Sequence, residues 1–155
     1  MAADTSFLLW IFTMPNQIGA LIIYGRGAEL GNFKFFADDL YTTELARFGT
    51  NIQARNIERR EDFFQLLLNP PLIIRELHIL SHSIGGGLFL GYGDDALNSE
   101  RSHIAASKRG GKANYYSVLN TEKGAVFTDD LIRPPYTNYR AAIQKRFTAD
   151  AKIKI

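Results

Sequence analysis

Apolar and polar positions follow two regimes along this chain: short continuous apolar runs, and longer stretches whose apolar residues return every three or four positions. Residues 19–24, GALIIY, form a continuous run that ends at Gly25-Arg26-Gly27, the pattern of a buried strand followed by a loop. In 33–48, FKFFADDLYTTELARF, residues Ala37, Tyr41, Leu45 and Phe48 fall at helical spacing, and Gly49 supplies a stop. The next segment, NIQARNI (51–57), sets Ile52, Ala54 and Asn56 against Gln53, Arg55 and Ile57, a weaker strand pattern. A second helix is predicted over 58–68, ERREDFFQLLL, ended by Asn69-Pro70-Pro71 because proline cannot continue the hydrogen-bond ladder. Residues 72–80, LIIRELHIL, predict a central strand buried on both faces, carried by Leu77, Ile79 and Leu80. After Gly85-Gly86-Gly87, LFLGY reads as a short strand forming half of a hairpin. GAVFTDDLI (124–132) is a strand or turn carrying two carboxylates, Pro134-Pro135 precede a helix over 137–147, and DAKIKI (150–155) alternates as a last strand.

Strands and helices thus alternate, which predicts an α/β fold: a three-layer sandwich with a mainly parallel sheet, right-handed crossovers and flanking helices. All 155 residues fit one domain, with a polar, Gly/Ser-rich excursion over about 94–123. In such sheets the functional crevice lies beyond the carboxyl ends of the strands. Arg26 and Ser81-His82-Ser83 both fall at such ends, so the topology brings them together.

Composition narrows the chemistry. The formal net charge is +2, from 18 basic and 16 acidic residues, a balance that points to neither nucleic acid nor a membrane surface. The densest basic stretch, Lys108-Arg109-Gly110-Gly111-Lys112 beside Tyr115 and Tyr116, reads as a solvated loop. FLLWIFTM, near the amino terminus, is too short to span a bilayer and follows Asp4 instead of positive charge; a buried strand and a cytoplasmic location are expected. With no cysteine, these residues can form no disulfide, thiolate metal site or cysteine nucleophile. His78, His82 and His103 match no zinc spacing, so no metal and no cofactor are expected. Asp38-Asp39 suits a helix's first turn, and Asp94-Asp95 a turn after a hairpin.

The chemistry-bearing stretch is Ser81-His82-Ser83-Ile84-Gly85. One reading makes Ser83 a nucleophile on a G-x-S-x-G-like elbow, as in α/β-hydrolases. That elbow requires a helix directly after the serine and a histidine late in the chain. Here the glycines favour a hairpin, and only His103 follows. A second reading makes His82 a general acid or base at a strand's carboxyl end, with the N–H groups of Ser83 and Gly85 left accessible to an oxyanion. A third leaves His78 and His82 as hydrogen-bonded strand residues and the glycines as a turn.

The stretch IRELHILSHSIGGGLFLGY resembles the histidine block of the caspase-like cysteine peptidases, the group that also holds gingipain, clostripain, separase and the CHAT-domain proteins. There an apolar strand ends in Ser-His-Gly and a glycine-containing hairpin follows. The resemblance extends over most of the chain: GALIIY is similar to the first strand, and TNYRAAIQKRFTADAKIKI to the helix and strand that precede the family's cysteine. It implies peptide-bond hydrolysis with His82 as general acid/base and an oxyanion site at Ser83 and Gly85. It also implies substrate contacts at Arg26 and Ser81, and an acidic wall at Asp129 and Asp130. Ser83 stands where the family has glycine, and the family's cysteine would fall just after Ile155, or has been lost. The implied partners are a peptide or protein substrate and a C-terminal segment or second chain completing the sheet. Two alternatives stay open: a serine hydrolase acting through Ser83, and a non-catalytic peptide-binding module.

Overall fold

The first strand, β1 (Ile18–Tyr24), is the axis of the molecule. Its side chains from Ala20 to Ile23 are fully buried and alternate between two apolar clusters, because successive residues of a strand point to opposite faces. The computed structural model describes residues 17–26, 33–83, 87–91, 123–132 and 134–155. Each buried aliphatic side chain in this strand contributes about 1.5–3 kcal/mol through removal of apolar surface from water. The chain continues through α1 (Phe33–Thr42), β2 (Ile52–Asn56), α2 (Arg60–Leu68) and β3 (Ile73–Leu80). Then come β4 (His82–Ser83), β5 (Gly87–Phe89), β6 (Ala125–Phe127), α3 (Arg140–Gln144) and β7 (Phe147–Lys154).

β2, β1, β3 and β7 form a parallel sheet in that order. Ala20 and Ile22 face Ala37 of α1 and Leu45, which lies just beyond that helix. Leu21 and Ile23 face the other way, with Leu77 and Ile79 of β3, onto Phe63, Phe64 and Leu67 of α2 and Ile143 of α3. The result is helix, sheet and helix, the α/β layering that the alternation of elements implied. β4, β5 and β6 make a separate antiparallel sheet.

Several expectations need correction. The helix expected over 33–48 ends at Thr42; Leu45 is buried beyond a turn, and Ala46–Phe48 is one turn of 3₁₀-helix. Tyr41, placed on the inner face by its spacing, is 40% exposed, and half-buried Leu40 takes its place in the cluster. Asp38-Asp39 therefore sits in the second turn of α1, where Asp38 accepts a hydrogen bond from Lys34 four residues earlier. The helix expected over 137–147 is a 3₁₀ segment, Tyr136–Tyr139, followed by the short α3. β7 consequently begins at Phe147 instead of Asp150. β3 is buried on both faces as expected, but Glu76 and His78 line one of them in place of apolar side chains. The apolar run FLLWIFTM lies outside the described residues, as does the polar excursion apart from Lys123, and with it His103, Asp94-Asp95 and the basic stretch 108–112.

Candidate functional site

From β1 the chain moves to β2 on one side and returns, through α2, to β3 on the other. The strand order reverses there, and the carboxyl ends of β1 and β3 lie side by side at that reversal, the place where open parallel sheets commonly carry their sites. The Gly25 N–H donates to the Leu80 carbonyl at 2.9 Å and the Arg26 N–H to the Leu90 carbonyl at 2.6 Å, so the end of β1 is stitched to both β3 and the residue following β5. Gly25 is required for this approach: a Cβ there would lie 2.5 Å from the Leu90 oxygen and 2.7 Å from its Cα, both backbone atoms. Leu90 and Gly91 in turn donate to the Gly124 carbonyl, which ties the small sheet across the same end of the molecule.

His82 opens β4 directly beyond β3. Its ring is half-buried, and it meets Phe33, the first residue of α1, edge-on with centroids 5.1 Å apart. Behind it the chain turns back as β5, with His82 opposite Phe89 and Ser83 opposite Leu88. An antiparallel hairpin, not a helix, thus follows the Ser-His-Ser stretch. Successive residues of this strand point to opposite sides: His82 touches α1, whereas Ser83 lines an apolar groove on the α2 and α3 side. The Ser83 Oγ donates to the Gly87 carbonyl at 3.1 Å, and the Ser81 Oγ to the His82 carbonyl at 3.1 Å. His82 is therefore not placed to take a proton from Ser83.

The remaining candidates separate into two places. Arg26 is exposed at the end of β1 and lies at the same end of the sheet as Ser81 and His82. Asp130 is buried beneath the small sheet, where its carboxylate accepts the Phe127 N–H at 2.8 Å and an Arg60 N–H at 3.3 Å. Burial pushes its pKa above the ordinary aspartate value, and the Phe127 N–H and Arg60 act in the opposite sense without cancelling that rise. This is the capping of a turn, with Asp129 half-buried beside it. Gly85 lies outside the described residues.

His78 is a hydrogen-bonded strand residue, as one reading of the sequence had it, but its partner Glu76 and an apolar groove were not singled out. Glu76 and His78, adjacent on one face of β3, are both buried; His78 Nε2 lies 3.4 Å from one Glu76 oxygen, and Arg47 donates to the other at 2.6 Å. Burial by itself would raise the Glu76 pKa, but the hydrogen bonds from Arg47 and His78 outweigh it and hold the carboxyl below its ordinary value. The alternation Glu76-Leu77-His78-Ile79 carries the signal for this polar row. The second feature is the groove lined by Phe63, Phe64, Leu77, Phe127, Phe147 and Ile153, of about 620 Å³.

Among the described residues no group of three or more His, Asp, Glu or Cys side chains is placed to hold a metal ion, and no helix is long and apolar enough to cross a membrane. No protein-family model, curated protein or solved structure matches this chain.

Proposed function

We propose that the chain carries the histidine half of a caspase-like peptide-hydrolysing site. The observation that supports this reading is the position of His82. It is half-buried at the carboxyl end of a central parallel strand, beside the reversal of strand order, with an antiparallel hairpin behind it. In the reaction a cysteine thiolate attacks a peptide carbonyl, His82 protonates the leaving amine, and backbone N–H groups at Ser83 and Gly85 hold the oxyanion. The 155 residues contain no cysteine, so the nucleophile is not supplied by them. Arg26 and Ser81, at the same end of the sheet, are the substrate-facing groups in this reading. Asp130, engaged by Arg60 and the Phe127 N–H, is left no free carboxylate face for a basic substrate side chain, so a structural role is favoured for it.

A serine hydrolase is less well supported. The hairpin stands where a nucleophile elbow requires a helix, and the Ser83 hydroxyl is directed at the Gly87 carbonyl, away from His82. A peptide-binding module without chemistry uses the same strand ends and differs only in the final step.

The test combines two measurements on the 155-residue chain. Addition of an unlabelled peptide mixture is expected to shift the NMR resonances of the His82 ring while leaving the buried His78 ring unmoved, and fluorogenic peptides are expected to show no turnover. Labelling of Ser83 by a fluorophosphonate, or peptide turnover lost in both His82→Ala and Ser83→Ala, would overturn the proposal in favour of the serine enzyme. Absence of any peptide-induced change at His82 would overturn the peptide-binding core of both readings.

A further inference from the structure

We infer that the apolar groove is filled from within the chain: residues 7–14, FLLWIFTM, dock in it and complete the core on the α2 side of the sheet. Side chains from several elements line the groove, among them Phe64 of α2, Leu77 of β3, Phe127 of β6, Ile143 of α3, and Phe147 and Ile153 of β7. It stands open at the carboxyl end of β7, where Ile153 is 57% and Ile155 80% exposed. Apolar surface gathered in one place in this way marks an interaction site.

Two observations identify the occupant, and the first is composition. Among the residues outside those described, FLLWIF at 7–12 is the longest uninterrupted apolar run, whereas the stretch 92–122 is broken throughout by charged residues, serine and glycine. The groove presents apolar side chains from strands, helices and the small sheet, so whatever lies in it is touched on more than one side. A run that is apolar at both odd and even positions suits such a place. An alternating strand would set polar side chains against one of the walls.

The second observation is reach. The Ile73 N–H donates to the Gln17 carbonyl at 2.9 Å, and the Ile74 N–H donates to the Arg146 carbonyl at 2.8 Å. The start of β3 thus lies between Gln17 and the residue that precedes β7, which places these two strand spacings, about 10 Å, apart. Met14 is three residues before Gln17, a reach of about 10 Å, and Pro15 biases it towards an extended backbone. It therefore arrives over Phe147, at the amino end of the groove. Eight extended residues then cover about 26 Å, more than the five steps of β3 from Ile74 to Ile79, so the run passes the groove from end to end. The tether also favours this occupant over others. A link of two residues, Pro15-Asn16, holds the run at an effective concentration on the order of millimolar, which a free partner must exceed. The inference is independent of the proposed peptide chemistry, because His82 touches α1 and the groove lies on the other face of the sheet.

Trp10 is the chain's single tryptophan, so its fluorescence reports on this run alone. The experiment compares Trp10 emission and acrylamide quenching in the 155-residue chain with those of a peptide of residues 1–16. The expected result is a blue-shifted emission and a loss of quenching in the chain, both unchanged on dilution. Ile153→Asp and Ile155→Asp should each move emission and quenching towards the values of the peptide, whereas Phe35→Asp on α1 should move neither. All three side chains are exposed, so the variants are expected to fold, which circular dichroism checks. Emission in the chain equal to that of the peptide overturns the inference. So does a blue shift indifferent to both isoleucine variants, which would bury Trp10 elsewhere. Protection that is lost on dilution would assign the groove to the run of a second copy, and a blue shift that needs added phosphatidylcholine vesicles would assign the run to a lipid surface; either result overturns the inference.

Discussion

Glu76 and His78 show how a single strand can serve two environments. Both lie on the α1 face of β3, while Leu77 and Ile79 between and beyond them enter the apolar cluster beneath α2. Two polar groups inside a central strand are tolerated because they satisfy each other and because Arg47 reaches in from the 3₁₀ turn. The consequence is a sign for the pH dependence of stability. A carboxyl held below its ordinary value in the folded state contributes stability that is present above about 4.5, its value when unfolded, and is lost as pH falls through the folded value. Asp130 has the opposite sign, since its pKa is raised, and does not supply that loss. Glu76→Gln is therefore expected to flatten the acid limb of stability, measured by urea unfolding from pH 7 down to about pH 3. At neutral pH the same variant should cost about 1–3 kcal/mol, because a charged acceptor for Arg47 is removed from a buried position.

At the scale of elements, α2 holds the second layer in place. Its Phe63, Phe64 and Leu67 are buried, and Asn69-Pro70 ends it so that β3 can begin within a few residues. Phe64 stacks on Tyr136 with centroids 4.2 Å apart and planes 26° from parallel, joining α2 to the 3₁₀ segment before α3. Such offset stacking contributes about 0.5–1.5 kcal/mol beyond area burial. A double-mutant cycle with Phe64→Leu and Tyr136→Leu is expected to return a coupling energy in that range. A coupling near zero would mean that Tyr136 only fills space. The hairpin of β4 and β5 is a weaker element, since β4 has two residues and β5 three. Its position depends on the bonds from Arg26 to Leu90 and from Leu90 to Gly124, so the surroundings of His82 are set by neighbours, not by the hairpin's own strength.

Across the whole molecule, burial is concentrated on β1 and β3, which are flanked on both sides by other strands and covered on both faces. Native-state hydrogen exchange should report this directly. Amides of Leu21–Ile23 and Leu77–Ile79 are expected to exchange only through global unfolding, and those of β4, β5 and β6 through smaller openings at lower free energy. Equal protection of the two sheets would show that they unfold as one unit. The proposed chemistry sits at the junction between them, where a rigid strand end meets a shorter, more loosely held hairpin.

Local sequence determined the strands and helices whose patterns are self-sufficient. The apolar run of β1, the proline stop after α2 and the glycines behind Ser83 act over a few residues, so their consequences are readable without the fold. The placing of Arg26 and His82 at one end of the sheet also follows from the alternation of elements alone. Tertiary structure decided what depends on contacts distant along the chain. Helix α1 stops at Thr42 although its apolar spacing continues, because Leu45 is drawn under the sheet beside Ile22 and Ile52. Arg47 reaches Glu76 across 29 positions and Arg60 reaches Asp130 across 70, and no local pattern encodes such pairings. Ser83 and His82 are neighbours in sequence, yet the two-residue period of a strand sends their side chains to opposite faces. Only the packing of helices on those faces shows which one meets aromatic contacts from α1 and which one lines the groove.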